Sequence, residues 1–223
     1  MTKALQPDAV RVPRTMSKAA RRSQLIESTI ETLANHGFAR TTLTAVAKAA
    51  GLSHGLVLFH FQTKEKLLAE TLNYLADEYR KNWMAALESV GDDPAEQLNA
   101  MIEADFSLAI CTSTRLAAWC SFWGEAQSRP FYQEACGAKD EAYNQVLETI
   151  CQRLSDQGRY GRNACHVARV IRVCIEGIWL DLMTMVSPYE RDEALSTVRT
   201  CVAMCFPAHF SPEGLLPDRA RPI

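Results

Sequence analysis

Hydrogen-bonding side chains of several chemical types lie close together between residues 42 and 64. Hydroxyl, imidazole and ammonium groups can donate to phosphate oxygens and to the edges of bases. A glycine among them would let the backbone approach such a surface closely. The candidate site from the residues alone comprises Ser53, His54, Gly55 and Leu56. This set of residues indicates binding to a polyanion such as DNA.

Two short helices joined by a tight turn would position these side chains. Thr42 is suited to cap the first helix, and Ser53 the second, because a hydroxyl at these positions can accept from a free backbone N–H. Gly51 suits the left-handed backbone of the turn, and Val57 would point back into a core. The pattern predicts a helix-turn-helix whose second helix enters a major groove with its N-terminal residues. The alternatives are an αα-hairpin without a ligand and, for Gly55, a simple helix irregularity.

The charge of the chain is unevenly distributed. Residues 1–66 carry ten Lys and Arg against four acidic residues, whereas the remainder is acidic and brings the whole chain to a net charge of −2. The first 16 residues, with Pro7 and Pro13, predict a flexible basic arm. A basic N-terminal part on an acidic remainder is typical of a polyanion-binding module, although chance clustering would look the same.

Apolar residues recur at three- and four-residue steps along the chain, which predicts an all-α fold. We expect a head at 17–63, a helical body at 64–206 and a flexible tail at 207–223. After a first helix that stops at Gly37, long helices are expected at about 64–90, 95–111, 114–127, 131–156, 162–186 and 189–206. No apolar run reaches the roughly 20 residues of a membrane span, and no secretory signal is evident, so a cytoplasmic location is expected.

Eight cysteines follow residue 110, none of them in a Cys-x-x-Cys pair, and no zinc spacing is present. Scattered helical cysteines favour a role as small buried hydrophobes over redox chemistry. Cys201 and Cys205, four residues apart, are the one pair that merits a test. Because the sequence also lacks a nucleophile–base signature and a phosphate loop, neither an enzyme nor a cofactor is expected. A helical module that binds a protein partner and no DNA remains an alternative.

A candidate ligand site lies in the body. Trp119, Phe122 and Trp123 share one helical face, and acids occur on helices with apolar neighbours. Aromatic faces with nearby carboxylates can hold a cation, whereas plain core packing is the alternative. The predicted pocket residues are Asp105, Phe106, Trp119, Phe122, Trp123, Glu176 and Trp179.

The helix-turn-helix and its flanks resemble the DNA-binding domain of the TetR family over about the first third of the chain. The resemblance is carried by Gly37-Phe38, Ala49-Ala50-Gly51-Leu52-Ser53 and Phe59-His60-Phe61-Gln62-Thr63-Lys64-Glu65-Lys66-Leu67. It implies a three-helix head, a larger ligand-binding body and a homodimer that binds operator DNA. It also implies that Thr42, Ser53, His54 and His60 lie at the DNA, with Lys64 near a phosphate. The sequence departs from the family pattern at Phe59, where Tyr is frequent, and at Ala45, where an acid is frequent.

A second resemblance concerns the body. Residues 119–130 and 176–180 are similar to the C-terminal domain of BetI-type repressors, which respond to choline. The resemblance implies a small-molecule effector such as choline or another quaternary ammonium. It also favours a dimer formed through about 162–206, where apolar residues could instead pack within one chain; they are Val167, Val170, Ile171, Cys174, Ile178, Val198, Val202 and Cys205.

Overall fold

The computed structural model describes residues 17–125 and 129–217, and over these residues the chain forms nine α-helices and a short antiparallel hairpin. The elements are α1 (Lys18–Arg40), α2 (Leu43–Ala49), α3 (His54–Phe61), α4 (Lys64–Glu88), α5 (Pro94–Asp105), α6 (Ser113–Trp123), α7 (Arg129–Gly158), α8 (Ala164–Thr184), α9 (Arg191–Cys205), β1 (Phe210–Ser211) and β2 (Gly214–Leu215). The all-α fold is confirmed. The predicted basic arm at 1–16 lies outside the described residues.

The helix starts follow from local side-chain capping. The hydroxyls of Ser17, Thr42, Ser53 and Thr63 each accept a hydrogen bond from the backbone N–H three residues further on. Each bond satisfies one of the N–H groups that a helix start leaves free, so these residues define the starts of α1 to α4.

The end of the first helix differs from the prediction. Gly37 has the left-handed φ of 74° expected of a stop, but the helix resumes after a kink and runs to Arg40. The Thr41 hydroxyl donates to the Gly37 carbonyl at 2.9 Å, which stabilises the extra turn. α1 therefore reaches further towards the body than the sequence predicts.

The head core is continuous with α6. Leu25, Val46, Val57 and Phe61 are fully buried, and they belong to one cluster with residues of the first part of α4. The same cluster includes Ala118, Trp119 and Phe122 of α6. α6 thus packs directly against the head, chiefly along α1.

A second cluster forms the body core between α4, α5, α7, α8 and α9. Trp83, near the end of α4, packs edge-on against Tyr143 of α7 at 5.8 Å between ring centroids. Because the first part of α4 lies in the head core and its last part in the body core, α4 joins the two. No helix within the described ranges is long and apolar enough to cross a membrane.

Two predicted boundaries are corrected by tertiary contacts. α5 ends at Asp105, well before residue 111, because Asn82 of α4 donates to the Ala104 carbonyl at 2.8 Å and accepts from the Ser107 hydroxyl. α6 ends at Trp123, before the predicted residue 127.

The predicted flexible tail is also corrected for its described part, 207–217. These residues form the hairpin, bury Phe210 and place His209 within 2.7 Å of the Tyr160 hydroxyl. The aromatic contacts with the body core fix this segment, which a Pro-rich composition alone does not reveal. Residues 218–223 lie outside the described part.

Candidate functional site

The N-terminus of α3 is presented to solvent by the turn between α2 and α3. Gly51 has a φ of 66°, and its N–H and that of Leu52 bond to carbonyls of α2. Behind this turn Val57 is fully buried. The first residues of α3 therefore project outward as a helix-turn-helix requires.

Five of the seven predicted DNA-site residues lie together on this surface. Thr42, Ser53, His54 and Gly55 are exposed, and Leu56 is half-buried beside them. The His54 Nδ1 lies 3.2 Å from the Thr44 hydroxyl of α2, which orients the imidazole across the two helices. An ideal Cβ at Gly55 would meet no atom within 4 Å, so the space above this backbone is open.

The structure does not bring His60 to this surface. Its side chain is buried at 7% exposure, and burial together with the charges of Arg22, Lys18 and Arg21 lowers the pKa of His60. Arg22 donates to the His60 carbonyl at 3.0 Å and fixes the end of α3 against α1. The His60 side chain is therefore packed away from solvent, on the face of α3 that lies against α1.

Lys64 is engaged within the head. Its ammonium donates to the carbonyls of Phe38 and Ala39 at 3.1 and 3.2 Å and lies 5.5 Å from the Phe38 ring centroid. These carbonyls belong to the last turn of α1, where a cation is favoured. Lys64 therefore ties α4 to α1, and a phosphate contact would require it to share or leave these bonds.

Phe59 is exposed, although from the sequence it was notable only as a departure from the TetR family pattern. It is 66% exposed on α3, and the Lys18 ammonium lies 5.5 Å from its ring centroid. Leu58 beside it is 39% exposed. The sequence signal was the unbroken apolar run Leu56-Val57-Leu58-Phe59, which one helix cannot bury on a single face.

A cavity of about 680 Å³ lies between α4, α6, α7 and α8. Its walls carry six aromatic side chains and four charged ones, and this volume is in the usual range for small-molecule sites. The aromatic residues are Tyr79, Trp119, Trp123, Tyr132, Tyr143 and Trp179, and the charged residues are Asp140, Glu141, Arg172 and Glu176.

The aromatic rings form a connected wall. Trp119 and Trp123 stack with centroids 6.0 Å apart, and the Trp123 Nε1 donates to the Tyr132 hydroxyl at 3.4 Å. On the opposite side, Tyr79 packs edge-on against Trp179 at 5.8 Å. The negative faces of such rings can attract a cation.

The cavity is acidic overall. Arg172, its single cation among the described lining residues, forms an ion pair of 2.6 Å with Glu176. Burial raises the pKa of Asp140 to about 6, against a hydrogen bond from Tyr132 that lowers it. The pairing of Arg172 with Glu176 leaves Asp140 as the acid placed among the aromatic rings.

A second acid, Asp105, lies behind the wall. It is fully buried, and its two carboxyl oxygens accept hydrogen bonds of 2.8 Å from the hydroxyls of Tyr79 and Tyr143. Burial raises the pKa of Asp105 to about 7, although both tyrosine bonds lower it. Asp105 therefore supports two rings of the cavity and does not itself line it.

Four of the seven predicted pocket residues line the cavity: Trp119, Trp123, Glu176 and Trp179. Phe106 instead lies fully buried in the body core, and Phe122 packs edge-on against Phe38 of α1 at 5.9 Å. The stripe of Trp119, Phe122 and Trp123 is thus divided, because its central residue faces the head.

The contribution of α4 and α7 to the cavity was not predicted from the sequence. Tyr132, Asp140 and Tyr143 recur at steps of eight and three residues, which places them on one face of α7. An acid between two tyrosines on a helical face was the available signal. Tyr79 carried no such local signal. Within the described parts of the chain, no group of three or more His, Cys, Asp or Glu residues is arranged to hold a metal ion.

Comparison with known proteins gives matches to both parts of the chain. Residues 25–71 match the model for bacterial regulatory proteins of the tetR family, and residues 94–207 match that for the C-terminal domain of BetI-type transcriptional repressors. The HTH-type transcriptional regulator BetI of Stenotrophomonas maltophilia is 28% identical over 169 residues, covering 76% of this chain and 84% of the relative. The regulator of the same name from Pseudomonas aeruginosa is 26% identical over 186 residues, covering 83% and 92%.

Solved structures share the fold. A transcriptional regulator from Pseudomonas aeruginosa has a TM-score of 0.73 at 23% identity, covering 87% of this chain and 94% of that one. A regulator from Saccharomonospora viridis, solved in complex with choline, has a TM-score of 0.70 at 18% identity, covering 81% and 94%. At these identities the likeness establishes the architecture.

Proposed function

The chain belongs to the BetI-type transcriptional repressors of the TetR family, and we propose that a quaternary ammonium such as choline, bound in the aromatic cavity, sets its affinity for operator DNA. The observation that carries this proposal is the placement of Asp140 among Trp123, Tyr132 and the other rings of an acidic cavity. The names of the relatives and the choline complex of one structural neighbour agree with it.

The physical basis is cation–π attraction in a partly desolvated site. A trimethylammonium group is large, weakly hydrated and permanently charged, so ring faces and a carboxylate can replace its water at low cost. A simple anion would be repelled by Asp140 and Glu141. The cavity exceeds the volume of one small cation, so substituents beyond the ammonium group have room in it.

The DNA half of the proposal rests on the exposed N-terminus of α3. Ser53, His54 and the open backbone at Gly55 are placed to read base edges. Two such heads in a dimer would address half-sites about 34–36 Å apart.

The proposed dimer uses the outer faces of α8 and α9. Most of the apolar residues first considered for it pack within one chain: Ile171, Val198 and Val202 are fully buried in the body core. Others remain exposed on the same helices, namely Val170 at 52% and Met204 at 70%. These residues are the ones that a second copy would cover.

We further propose that the protein acts in the cytoplasm and binds its effector without turning it over. Its relatives are named as transcriptional regulators. Choline recovered unchanged, by NMR, after long incubation with the protein would agree with this part of the proposal, and a stoichiometric excess of product would contradict it.

The proposal is tested by an anisotropy titration against the DNA upstream of the protein's own gene. Choline should change operator affinity at least several-fold, whereas 3,3-dimethyl-1-butanol, its uncharged isostere, should not. An equal effect of both compounds would contradict a cation site.

His54→Ala should lose operator binding with little change in melting temperature. The control is His36→Ala, at an exposed histidine near the end of α1; equal binding by both variants would contradict the assigned recognition helix.

A further inference from the structure

The aromatic cavity has a closed inner end and an open outer end. Trp119, Tyr143 and Trp179 are buried and form the inner end. At the outer end the cavity is lined by exposed residues of α7 and α8, so its mouth lies between these two helices. The exposed lining residues are Gln133 and Glu141 on α7 and Val173, Gly177 and Leu180 on α8.

The α8 side of this mouth is apolar. Val173, Gly177 and Leu180 recur at steps of four and three residues, which places them along one stripe of the helix. Val173 is 52% exposed and Leu180 is 51% exposed. An ideal Cβ at Gly177 would meet no atom within 4 Å, so the space between the two apolar side chains is open. Exposed apolar surface at the edge of a cavity is typical of a ligand-binding groove.

The acids that favour a cation lie next to this mouth on both helices. Asp140 directly precedes Glu141 on α7, and Glu176 directly precedes Gly177 on α8. A cation held at Asp140 therefore has its substituents within reach of the opening. The cavity volume of about 680 Å³ is that of a site for drug-sized molecules, which leaves much of the space for such a substituent.

We propose that the effector is a quaternary ammonium with an uncharged apolar tail of several carbons, which passes Gly177 and covers Val173 and Leu180. This inference rests on the proposed cation site and specifies the class of compound that fills it. The acidic side of the mouth supports an uncharged tail, because a carboxylate at its end would be repelled by Glu141. The tail removes from water the two side chains that the cavity leaves exposed.

A series of alkyltrimethylammonium ions tests the proposal on the full chain. Tetramethylammonium, butyltrimethylammonium, hexyltrimethylammonium and octyltrimethylammonium are titrated below their micelle-forming concentrations. Tryptophan fluorescence reports binding, since Trp119, Trp123 and Trp179 line the cavity. The Kd should fall by about two- to fourfold for each methylene that leaves water, until the tail extends past Leu180.

The series separates this inference from the proposed function. Saturable binding of tetramethylammonium without a gain along the series would overturn the tail and leave the cation site in place. Failure of all four ions to bind would overturn the cation site and the tail together.

Variants locate the tail. Val173→Thr combined with Leu180→Gln should keep the Kd of tetramethylammonium within about twofold and remove most of the gain from butyl to octyl. Both substituted side chains are exposed, so the melting temperature should change little. The matched control is Val170→Thr, since Val170 is equally exposed on α8 but lies outside the cavity lining, on the proposed dimer face. At concentrations where it is dimeric, this variant should retain the full gain.

Two results with these variants would overturn the proposal. An equal loss of the gain in Val170→Thr would show that the effect is not specific to the mouth. A full gain in the combined variant, together with weaker self-association in sedimentation, would show that Val173 and Leu180 are covered by a second copy of the chain.

Discussion

The guanidinium of Arg115 on α6 donates two hydrogen bonds to the Glu27 carboxylate on α1, with N–O distances of 2.8 and 3.1 Å. The same group donates two bonds of 3.0 Å to Glu78 of α4. One turn further along α6, Trp119 stands in the cavity wall. Arg115 thus connects the helix that lines the cavity with α1, which packs against the helix-turn-helix.

This arrangement predicts that Arg115 carries part of the coupling between effector and operator. Glu27→Gln, which weakens the pair and leaves Glu78 to hold Arg115, should leave the effector Kd within about twofold. It should reduce the effector-induced change in operator affinity several-fold, where such couplings are typically about 5- to 150-fold. Calorimetry and DNA anisotropy measure the two quantities.

The matched control for this prediction is Arg199→Gln. Arg199 pairs with Glu103 at 2.9 Å, but both residues lie within the body, on α9 and α5. If Arg199→Gln reduces the coupling as strongly as Glu27→Gln does, the α1–α6 connection is not specific.

A second prediction concerns the pH dependence of effector affinity. Choline does not titrate, so a change with pH reports on the protein. The carboxylate of Asp140 attracts the cation, and its pKa of about 6 means that affinity should fall as the pH is lowered from 7 to 5. Asp140→Asn should lower the affinity at pH 7 about tenfold and flatten this fall. Glu141→Gln changes an exposed neighbouring acid and should keep the fall in choline affinity between pH 7 and pH 5. The same pH dependence in the unmodified protein, Asp140→Asn and Glu141→Gln would contradict the role of Asp140.

Asp105 leads to a third prediction, on stability. Because burial raises its pKa to about 7, the folded state holds a proton on Asp105 that the unfolded chain loses above about pH 4. Between pH 5 and 7 this residue therefore makes the free energy of unfolding decrease as pH rises, by at most about 1.4 kcal/mol per pH unit. The effect levels off above pH 7.

Urea unfolding at several pH values measures this contribution. Asp105→Asn should reduce the downward slope between pH 5 and 7, whereas Asp156→Asn, at an exposed position on α7, should not change it. A slope that is unchanged in Asp105→Asn would show that Asp105 is already ionised in the folded protein at pH 5.

The two glycines of the helix-turn-helix give a fourth prediction. Gly51 has a positive φ, so Gly51→Ala should destabilise the head by about 1 kcal/mol. Gly55 has room for a methyl group within a helix, so Gly55→Ala should stabilise it by up to about 1 kcal/mol. Gly55→Ala should nevertheless weaken operator binding, because the added methyl would lie on the proposed DNA-reading surface. Thermal unfolding and anisotropy separate these effects; tighter DNA binding by Gly55→Ala would contradict a close backbone approach.

The helix-turn-helix could be predicted from the sequence because its determinants are local. Thr42 and Ser53 bond to N–H groups three residues away, and Gly51 adopts its conformation without help from distant residues. The direction of a side chain at the far end of α3 is not local. His60 is buried because α1 and Arg22 close over it, and no pattern within α3 shows this.

The cavity, in contrast, depends more on tertiary packing than on local sequence. Trp119 and Glu176 could be named from the sequence, since an aromatic stripe and an acid beside a tryptophan are visible within single helices. Tyr79 and Asp140 lie 61 positions apart in the chain, on α4 and α7, and only packing brings them to one cavity.

The sequence by itself therefore determined the all-α fold, the helix-turn-helix with its caps at Thr42 and Ser53, and the family that the head and body resemble, because hydrogen bonds between near neighbours and periodic burial act along the chain. Tertiary structure decided that Asp105 supports Tyr79 and Tyr143 from behind, that Phe122 serves the head, and that the segment at 207–217 packs on the body. These outcomes depend on which helix faces meet, and that choice is made by shape and burial over the whole core.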